Sequence, residues 1–91
     1  MTSPLGEIGR DIAARLQDRF DPDFLEVRDD SAQHAGHMGA HPAGETHFHI
    51  VIKSTAFDGL SRVAAHRQIN TALADHLSGH VHALQITIQK D

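Results

Sequence analysis

Histidine is the residue type through which this chain can do chemistry. Its 91 residues include nine histidines and no cysteine. Three histidines lie in one Gly/Ala-rich segment, and four more form two alternating pairs. They are His34, His37 and His41, then His47 with His49, and His80 with His82. Because neutral imidazole binds transition metals, the chain offers nitrogen ligands to a metal but no sulfur ligand.

The sequence lacks the motifs of the common enzyme classes. Without cysteine it has neither a disulfide nor a thiolate nucleophile. It has no Ser/His/Asp order with a motif typical of a catalytic triad, no phosphate-binding glycine loop and no His-Glu-x-x-His zinc motif. Glu45 near the clustered histidines therefore does not make a recognisable hydrolytic site. We predict that the protein is not an enzyme.

Two long helices are predicted from apolar residues that recur every three or four positions. The first covers residues 3–20, with Ser3 as its N-cap and Pro4 in its first helical position. The second covers residues 61–77 and follows a short turn or helix within 54–62. The predicted apolar stripes are Leu5, Ile8, Ile12, Leu16 and Phe20 in the first helix, and Val63, His66, Ile69, Leu73 and Leu77 in the second.

Three strands are predicted at residues 24–28, 46–53 and 81–89, where apolar and polar residues alternate. The predicted core-facing residues are Phe48, Ile50 and Ile52 in the second strand and Leu84, Ile86 and Ile88 in the third. His82 has the parity of the last set, so we expect it to extend the core-facing row. The polar residues between them predict that the other sheet face is solvated.

These elements predict an α+β two-layer sandwich with the order α-β-β-α(short)-α-β. A three-stranded mixed sheet would carry its helices on one face. The length predicts a single domain over residues 1–91, with a long loop at 29–45 between the first two strands. The sequence shows no secretory signal and no apolar run long enough to span a membrane, which predicts a soluble, cytoplasmic protein.

Four short motifs occur in an order that resembles the BolA family. They are Gly44-Glu45-Thr46-His47-Phe48, Phe57-Asp58-Gly59-Leu60-Ser61-Arg62, His66-Arg67 and Val81-His82-Ala83-Leu84. The resemblance implies a fold similar to the type II KH fold. It also implies a monothiol glutaredoxin as partner in a heterodimer that holds a bridging 2Fe–2S cluster, used in iron–sulfur cluster assembly, trafficking or iron-responsive regulation.

The resemblance also implies which residues bind the cluster. The glutaredoxin and a bound glutathione would supply thiolates, and this chain would supply imidazole. The histidine of the Val-His-Ala-Leu motif is His82, and the second ligand maps to His34 in the loop after the first strand. This places the chain in the histidine branch of the family. His37 and His41 are further candidates for the loop ligand.

The main alternative function is that of a DNA-binding transcriptional regulator of the stress or morphology type. Arg62, His66 and Arg67 lie on the second long helix and could approach DNA. The formal net charge of −4 opposes this, because nucleic-acid binders usually carry a basic surface. Ala65 also replaces the first arginine of the family's Arg-His-Arg motif. The isolated chain is expected to be a monomer or a weak homodimer without a membrane partner.

The remaining histidines are predicted to be structural or solvated. His47 and His49 share a strand face and are interpreted as cross-strand or surface residues. His66 is interpreted as a packing residue. His76 and His80 are expected to face solvent near the end of the second long helix.

Overall fold

The computed structural model describes residues 6–31 and 44–89. Within these ranges the chain forms a helix, two strands, a 3₁₀ turn at Thr55–Phe57, two further helices and a final strand. The helices are α1 (Glu7–Phe20), α2 (Arg62–Ala72) and α3 (Ala74–Leu77). The strands are β1 (Phe24–Asp29), β2 (His47–Lys53) and β3 (Ala83–Ile88).

The strands form a mixed sheet in the order β1-β2-β3. β1 is antiparallel to β2, with Phe24 opposite Lys53. β2 is parallel to β3, with His47 opposite Ala83. A parallel pair needs a crossover connection, and α2 and α3 provide it. The predicted α+β class with a three-stranded mixed sheet is confirmed.

The core lies between this sheet and the helices. Phe48, Ile50 and Ile52 of β2 are at most 2% exposed, as the alternation predicted. The helices and the 3₁₀ turn bury apolar side chains against them. These side chains are Ile12, Leu16 and Phe20 of α1, Phe57 of the turn, and Ala65 and Ile69 of α2. Leu84, Ile86 and Ile88 of β3 are half-buried against the same cluster.

The start of α1 differs from the prediction. The helix begins at Glu7 with Gly6 as its N-cap residue. Because glycine has no side chain, Gly6 cannot accept a hydrogen bond from the N–H groups of the first turn. The predicted cap Ser3 lies outside the described residues, as does Pro4. The carboxylate of Glu45, distant in sequence, accepts hydrogen bonds from backbone N–H groups of the first turn instead.

The second long helix also differs from the prediction. It is divided at Leu73, whose backbone has φ −111° and ψ 15°, into α2 and α3. Val63 was assigned to the core face, but it is 60% exposed. That assignment is wrong because Val63 lies about 200° around the helix from Ala65, which is buried. The apolar face runs through Ala65, Ile69 and Leu73.

A network of charged side chains joins α1 to α3. The guanidinium of Arg15 binds both carboxylate oxygens of Asp75, at 2.5 and 2.8 Å. The same guanidinium contacts Asp11 at 2.9 Å, and Asp11 also binds His76 Nε2 at 2.6 Å. The hydrogen bond from Arg15 lowers the pKa of Asp75 to about 2.

In the described part of the chain, no helix is long and apolar enough to cross a bilayer.

Candidate metal-ligating site

The chain enters β2 through a turn that the carboxylate of Asp29 holds in place. Gly44 and Glu45 both have positive φ, at 77° and 61°, a conformation that is uncommon for a residue with a side chain. The carboxylate of Asp29, at the end of β1, accepts from Glu45 N–H at 3.0 Å and from Ser31 N–H at 2.9 Å. This turn therefore fixes where β2 begins.

Thr46 then connects the first residues of β2 and β3. It is 1% exposed, and its N–H donates to Ser31 Oγ at 2.9 Å. Its carbonyl oxygen accepts from the N–H groups of His82, at 2.8 Å, and Ala83, at 3.1 Å. Because His47 follows Thr46 directly, the backbones of both histidines are anchored at one buried residue.

His82, the predicted cluster ligand, is exposed. The prediction that it extends the core-facing row of β3 is wrong. Pairing with β2 begins at Ala83, so His82 precedes the strand and does not follow its alternation. The imidazole is therefore presented to the outside at the end of the sheet.

His47 lies beside His82. The centroids of the two rings are 6.2 Å apart, and the ring planes meet at 68° in an edge-to-face arrangement. His47 Nδ1 lies 2.8 Å from Thr46 Oγ1. The sequence analysis left His47 out of the candidate ligands. The parallel pairing of β2 with β3 brings these two residues together, and the sequence alone carries no direct signal for that register.

The loop candidates His34, His37 and His41 lie outside the described residues. Their assignment to the site stays a prediction. Within residues 6–31 and 44–89, no group of three or more His, Cys, Asp or Glu side chains could hold a metal ion. The described residues thus bring two imidazoles together, those of His47 and His82, and no larger group of this kind.

Three other described histidines, His49, His76 and His80, have structural partners. The guanidinium of Arg28 contacts His49 Nδ1, and His49 Nε2 lies 3.0 Å from Thr87 Oγ1, so this ring spans the polar sheet face. His76 and His80 were expected to face solvent, but both are half-buried. His76 pairs with Asp11, as described above, and His80 Nε2 binds a backbone carbonyl oxygen at 3.0 Å.

The residues of the DNA-binding alternative are brought partly together. Arg62 and His66, one helical turn apart, line a groove between α2 and β3. Ile86, Thr87 and Ile88 form the strand side of this groove. Arg67 is exposed on α2 and is not among the groove-lining residues. The expectation that His66 is a packing residue is only partly met, since its ring borders this groove.

Fold and site together define a small α+β domain that presents imidazole at one end of a mixed sheet. The family model for BolA-like proteins matches residues 16–91. Human BolA-like protein 1 is 39% identical over 82 residues, which cover 90% of this chain and 57% of the human protein. The chain belongs to the BolA-like family. It spans a little over half the length of such mammalian relatives.

Other relatives agree with this assignment. The DNA-binding transcriptional regulator BolA of Vibrio cholerae is 43% identical over 75 residues, covering 82% of this chain and 67% of that protein. The solved BolA domain of SufE1 from Arabidopsis thaliana superposes with a TM-score of 0.84 at 45% identity and 94% coverage of both chains. BolA-like proteins are generally regulatory or partner proteins, which is consistent with the predicted non-catalytic role.

Proposed function

We propose that this protein is the partner of a monothiol glutaredoxin and shares a bridging 2Fe–2S cluster with it. The proposed role is iron–sulfur cluster assembly, trafficking or iron-responsive regulation. The observation that carries the proposal is the exposed position of His82 at the end of the sheet. The backbone N–H of His82 is bound by a buried residue, and His82 belongs to the family's Val-His-Ala-Leu motif. A rigid element is a suitable place from which to present a ligand.

The donor set of this chain fits a cluster that is shared but not one that is held alone. The whole sequence has no thiol, and the described residues offer no complete group of ligands. His82 can lend one imidazole, while glutaredoxin and glutathione supply the thiolates. His34 is the proposed second imidazole, and His37 and His41 are its alternatives in the loop.

Imidazole ligation raises the reduction potential of a 2Fe–2S cluster relative to all-thiolate ligation. Imidazole binds a metal only in its neutral form, so we expect acid to release the shared cluster. A ligand held by a separate protein also leaves with that protein when the two dissociate. These properties suit transfer or sensing better than permanent electron storage.

The test is reconstitution of the heterodimer. The chain is mixed with a monothiol glutaredoxin, glutathione, iron and sulfide, and visible absorption and circular dichroism are recorded after gel filtration. We expect a heterodimer whose spectrum differs from that of the glutaredoxin alone. His82→Ala should abolish the difference, and His34→Ala should reduce it. His66→Ala, in the groove beside β3, is the matched control and should leave it unchanged.

Two results would count against this function. If no heterodimer forms, the partnership is wrong. If His82→Ala gives the spectrum of the unsubstituted chain, the ligand assignment is wrong. We also propose a cytoplasmic location, although one relative, from Arabidopsis thaliana, is a chloroplastic/mitochondrial protein.

DNA-binding transcriptional regulation is the second candidate. The name of the Vibrio cholerae relative supports it, as does the position of Arg62 and His66 on one groove. Arg67 would add a phosphate contact from the exposed side of α2. Binding to a promoter duplex should then weaken steeply as the salt concentration rises. The double variant Arg62→Ala/Arg67→Ala should reduce the slope of the logarithm of affinity against the logarithm of salt concentration. Arg10→Ala, on α1, is the control and should leave this slope unchanged. Weak binding that ignores sequence would contradict this role.

A further inference from the structure

His76 connects helix α1 to the segment that carries His82. Its ring Nε2 lies 2.6 Å from Asp11 Oδ2, and its side chain is only 18% exposed. An ionised carboxylate can only accept a hydrogen bond, so Nε2–H donates in this contact. The backbone carbonyl of His76 accepts from the N–H groups of Gly79 and Val81, both at 3.1 Å. One residue therefore binds α1 through its ring and the turn after α3 through its backbone.

The backbone that presents His82 has two consecutive anchors. Val81, directly before it, is 2% exposed, and its N–H is the one bound by His76. The N–H of His82 itself donates to the carbonyl oxygen of Thr46 at 2.8 Å. The first anchor lies on α3 and the second at the start of β2. Because an exposed ring follows the backbone that carries it, both anchors determine where the imidazole of His82 is presented.

Helix α1 supports both anchors. Asp11 holds the ring of His76, as described above. Glu45, the residue before Thr46, accepts a hydrogen bond from the backbone N–H of Ile8. Ile8 and Asp11 are three positions apart and so lie on one side of α1, about one turn from each other. The two segments on which the position of His82 depends are thus fastened to neighbouring turns of one helix.

The carboxylate of Asp11 is itself oriented by a third side chain. Arg15 Nε lies 2.9 Å from the same Oδ2 atom that binds His76. The terminal nitrogens of Arg15 bind both carboxylate oxygens of Asp75, a bidentate geometry that fixes the guanidinium plane. Ion pairs as accessible as these add little net stability. We therefore assign them to the orientation of Asp11 and, through it, of His76.

We propose that His76 is a positioning residue for His82. The hydrogen bond between its ring and Asp11 holds the turn at residues 79–82, and the rigidity of this turn sets how firmly the chain retains the shared cluster. This inference rests on the proposed function, in which His82 is a ligand of that cluster. His76 acts through the backbone of Val81 and is not itself a ligand. A looser turn has to be ordered each time the ligand is presented, which weakens its binding.

The first test uses the isolated chain without iron. Amide hydrogen exchange of Val81 and His82 is followed by NMR. We expect His76→Ala and Asp11→Ala each to speed this exchange by about tenfold, because the carbonyl that binds Val81 is then no longer fastened to α1. The amides of β2 should keep their protection. The double variant should differ little from either single one, since both remove the same contact. His76→Gln, whose amide can still donate to Asp11, should restore part of the protection.

The second test uses the heterodimer reconstituted with a monothiol glutaredoxin. The rate of cluster loss to an added chelator is followed by visible circular dichroism. His76→Ala and Asp11→Ala should lose the cluster about tenfold faster than the unsubstituted chain, and His76→Gln should lose it more slowly than His76→Ala.

Ser54→Ala is the control for a general loss of stability. Ser54 is buried, and its hydroxyl donates to the carbonyl oxygen of Phe20 at the other end of β2. Its removal should destabilise the fold but leave both the exchange of Val81 and His82 and the rate of cluster loss unchanged. Far-UV circular dichroism checks that every variant is folded.

The inference is overturned if the exchange of Val81 and His82 in folded His76→Ala equals that of the unsubstituted chain. It is also overturned if the exchange becomes faster while the cluster is lost at the unsubstituted rate, because the turn then does not control the ligand. Failure of the proposed function gives a different result, since the unsubstituted chain itself would form no heterodimer. The exchange measurement would still decide whether His76 holds the segment that carries His82.

Discussion

Glu45 caps helix α1 from the far side of the long loop, its Oε1 accepting a hydrogen bond from Ile8 N–H at 2.9 Å. The same oxygen accepts from Gly9 N–H at 3.1 Å. A carboxylate at this position satisfies backbone donors that have no partner within the helix and also interacts favourably with the helix dipole. The turn that begins β2 is thereby fastened to the first helix.

Removing this cap should destabilise the protein in a graded way. We expect Glu45→Ala to lower the free energy of unfolding by about 1–2 kcal/mol, because two N–H groups lose their acceptor. Glu45→Gln should cost less, since its amide oxygen can still accept while the charge is lost. Urea denaturation measures both. Glu7→Gln, exposed in the first turn of α1, is the control, and equal stability of Glu45→Ala and the unsubstituted chain would refute the cap.

Gly6 is predicted to be required by the same cap. A Cβ atom at this position would lie 2.3 Å from Glu45 Oε1, although the backbone at φ −80° would otherwise accept a side chain. Gly6→Ala should therefore displace the carboxylate and cost about 1–3 kcal/mol. The cost should become much smaller in a Glu45→Ala background, because the displaced group is then absent. Equal costs in the two backgrounds would show that the contact is not responsible.

The ion pair between Arg15 and Asp75 predicts a specific pH dependence. The pKa of Asp75 is lowered from 3.8 to about 2, chiefly by the hydrogen bond from Arg15. A carboxyl with a lower pKa in the folded chain stabilises the fold above its unfolded pKa and loses this effect as the pH falls through its folded pKa. Asp75→Asn should therefore weaken the stability loss between pH 4 and pH 2, the window about these two pKa values.

Thermal unfolding at a series of pH values measures this effect. Asp18→Asn, exposed on α1, serves as the charge-matched control and should retain the acid dependence of the unsubstituted chain. The contribution should be small in absolute terms, because both partners are accessible to solvent and salt screens them. An Asp75→Asn profile parallel to that of the unsubstituted chain would contradict the pairing.

The sequence allowed the strands to be located because their signal is local. The alternation of Phe48, Ile50 and Ile52 identifies the buried face of β2 without reference to any other segment. The ends of the elements could not be predicted in this way. The cap of α1 comes from Glu45, 37 positions after Ile8, and the helical period alone did not reveal the break at Leu73 or the exposure of Val63.

The site was predictable in part. The family motif identifies His82, but strand parity gave it the wrong orientation, since its position depends on where pairing with β2 begins. The neighbouring His47 belongs to a different strand, and only the parallel register brings the two rings together. A single sequence carries no direct signal for that register, so the pair emerged only from the fold.

Thr46→Val tests how much the buried hydroxyl of Thr46 stabilises the chain where β2 begins. Valine has a similar shape but cannot bind Ser31 Oγ or His47 Nδ1 through its side chain, so two hydrogen bonds of a buried residue are lost. We expect the free energy of unfolding to fall by about 1–2 kcal/mol.

Thr87→Val is the matched control for this change. Thr87 also contacts a histidine, through Oγ1 to His49 Nε2 at 3.0 Å, but it is exposed on the polar sheet face. It should cost little stability, since water can replace the lost partner at an exposed position. Urea denaturation of both variants makes the comparison. If Thr46→Val is as stable as the unsubstituted chain, the hydroxyl of Thr46 does not contribute to the stability of the fold.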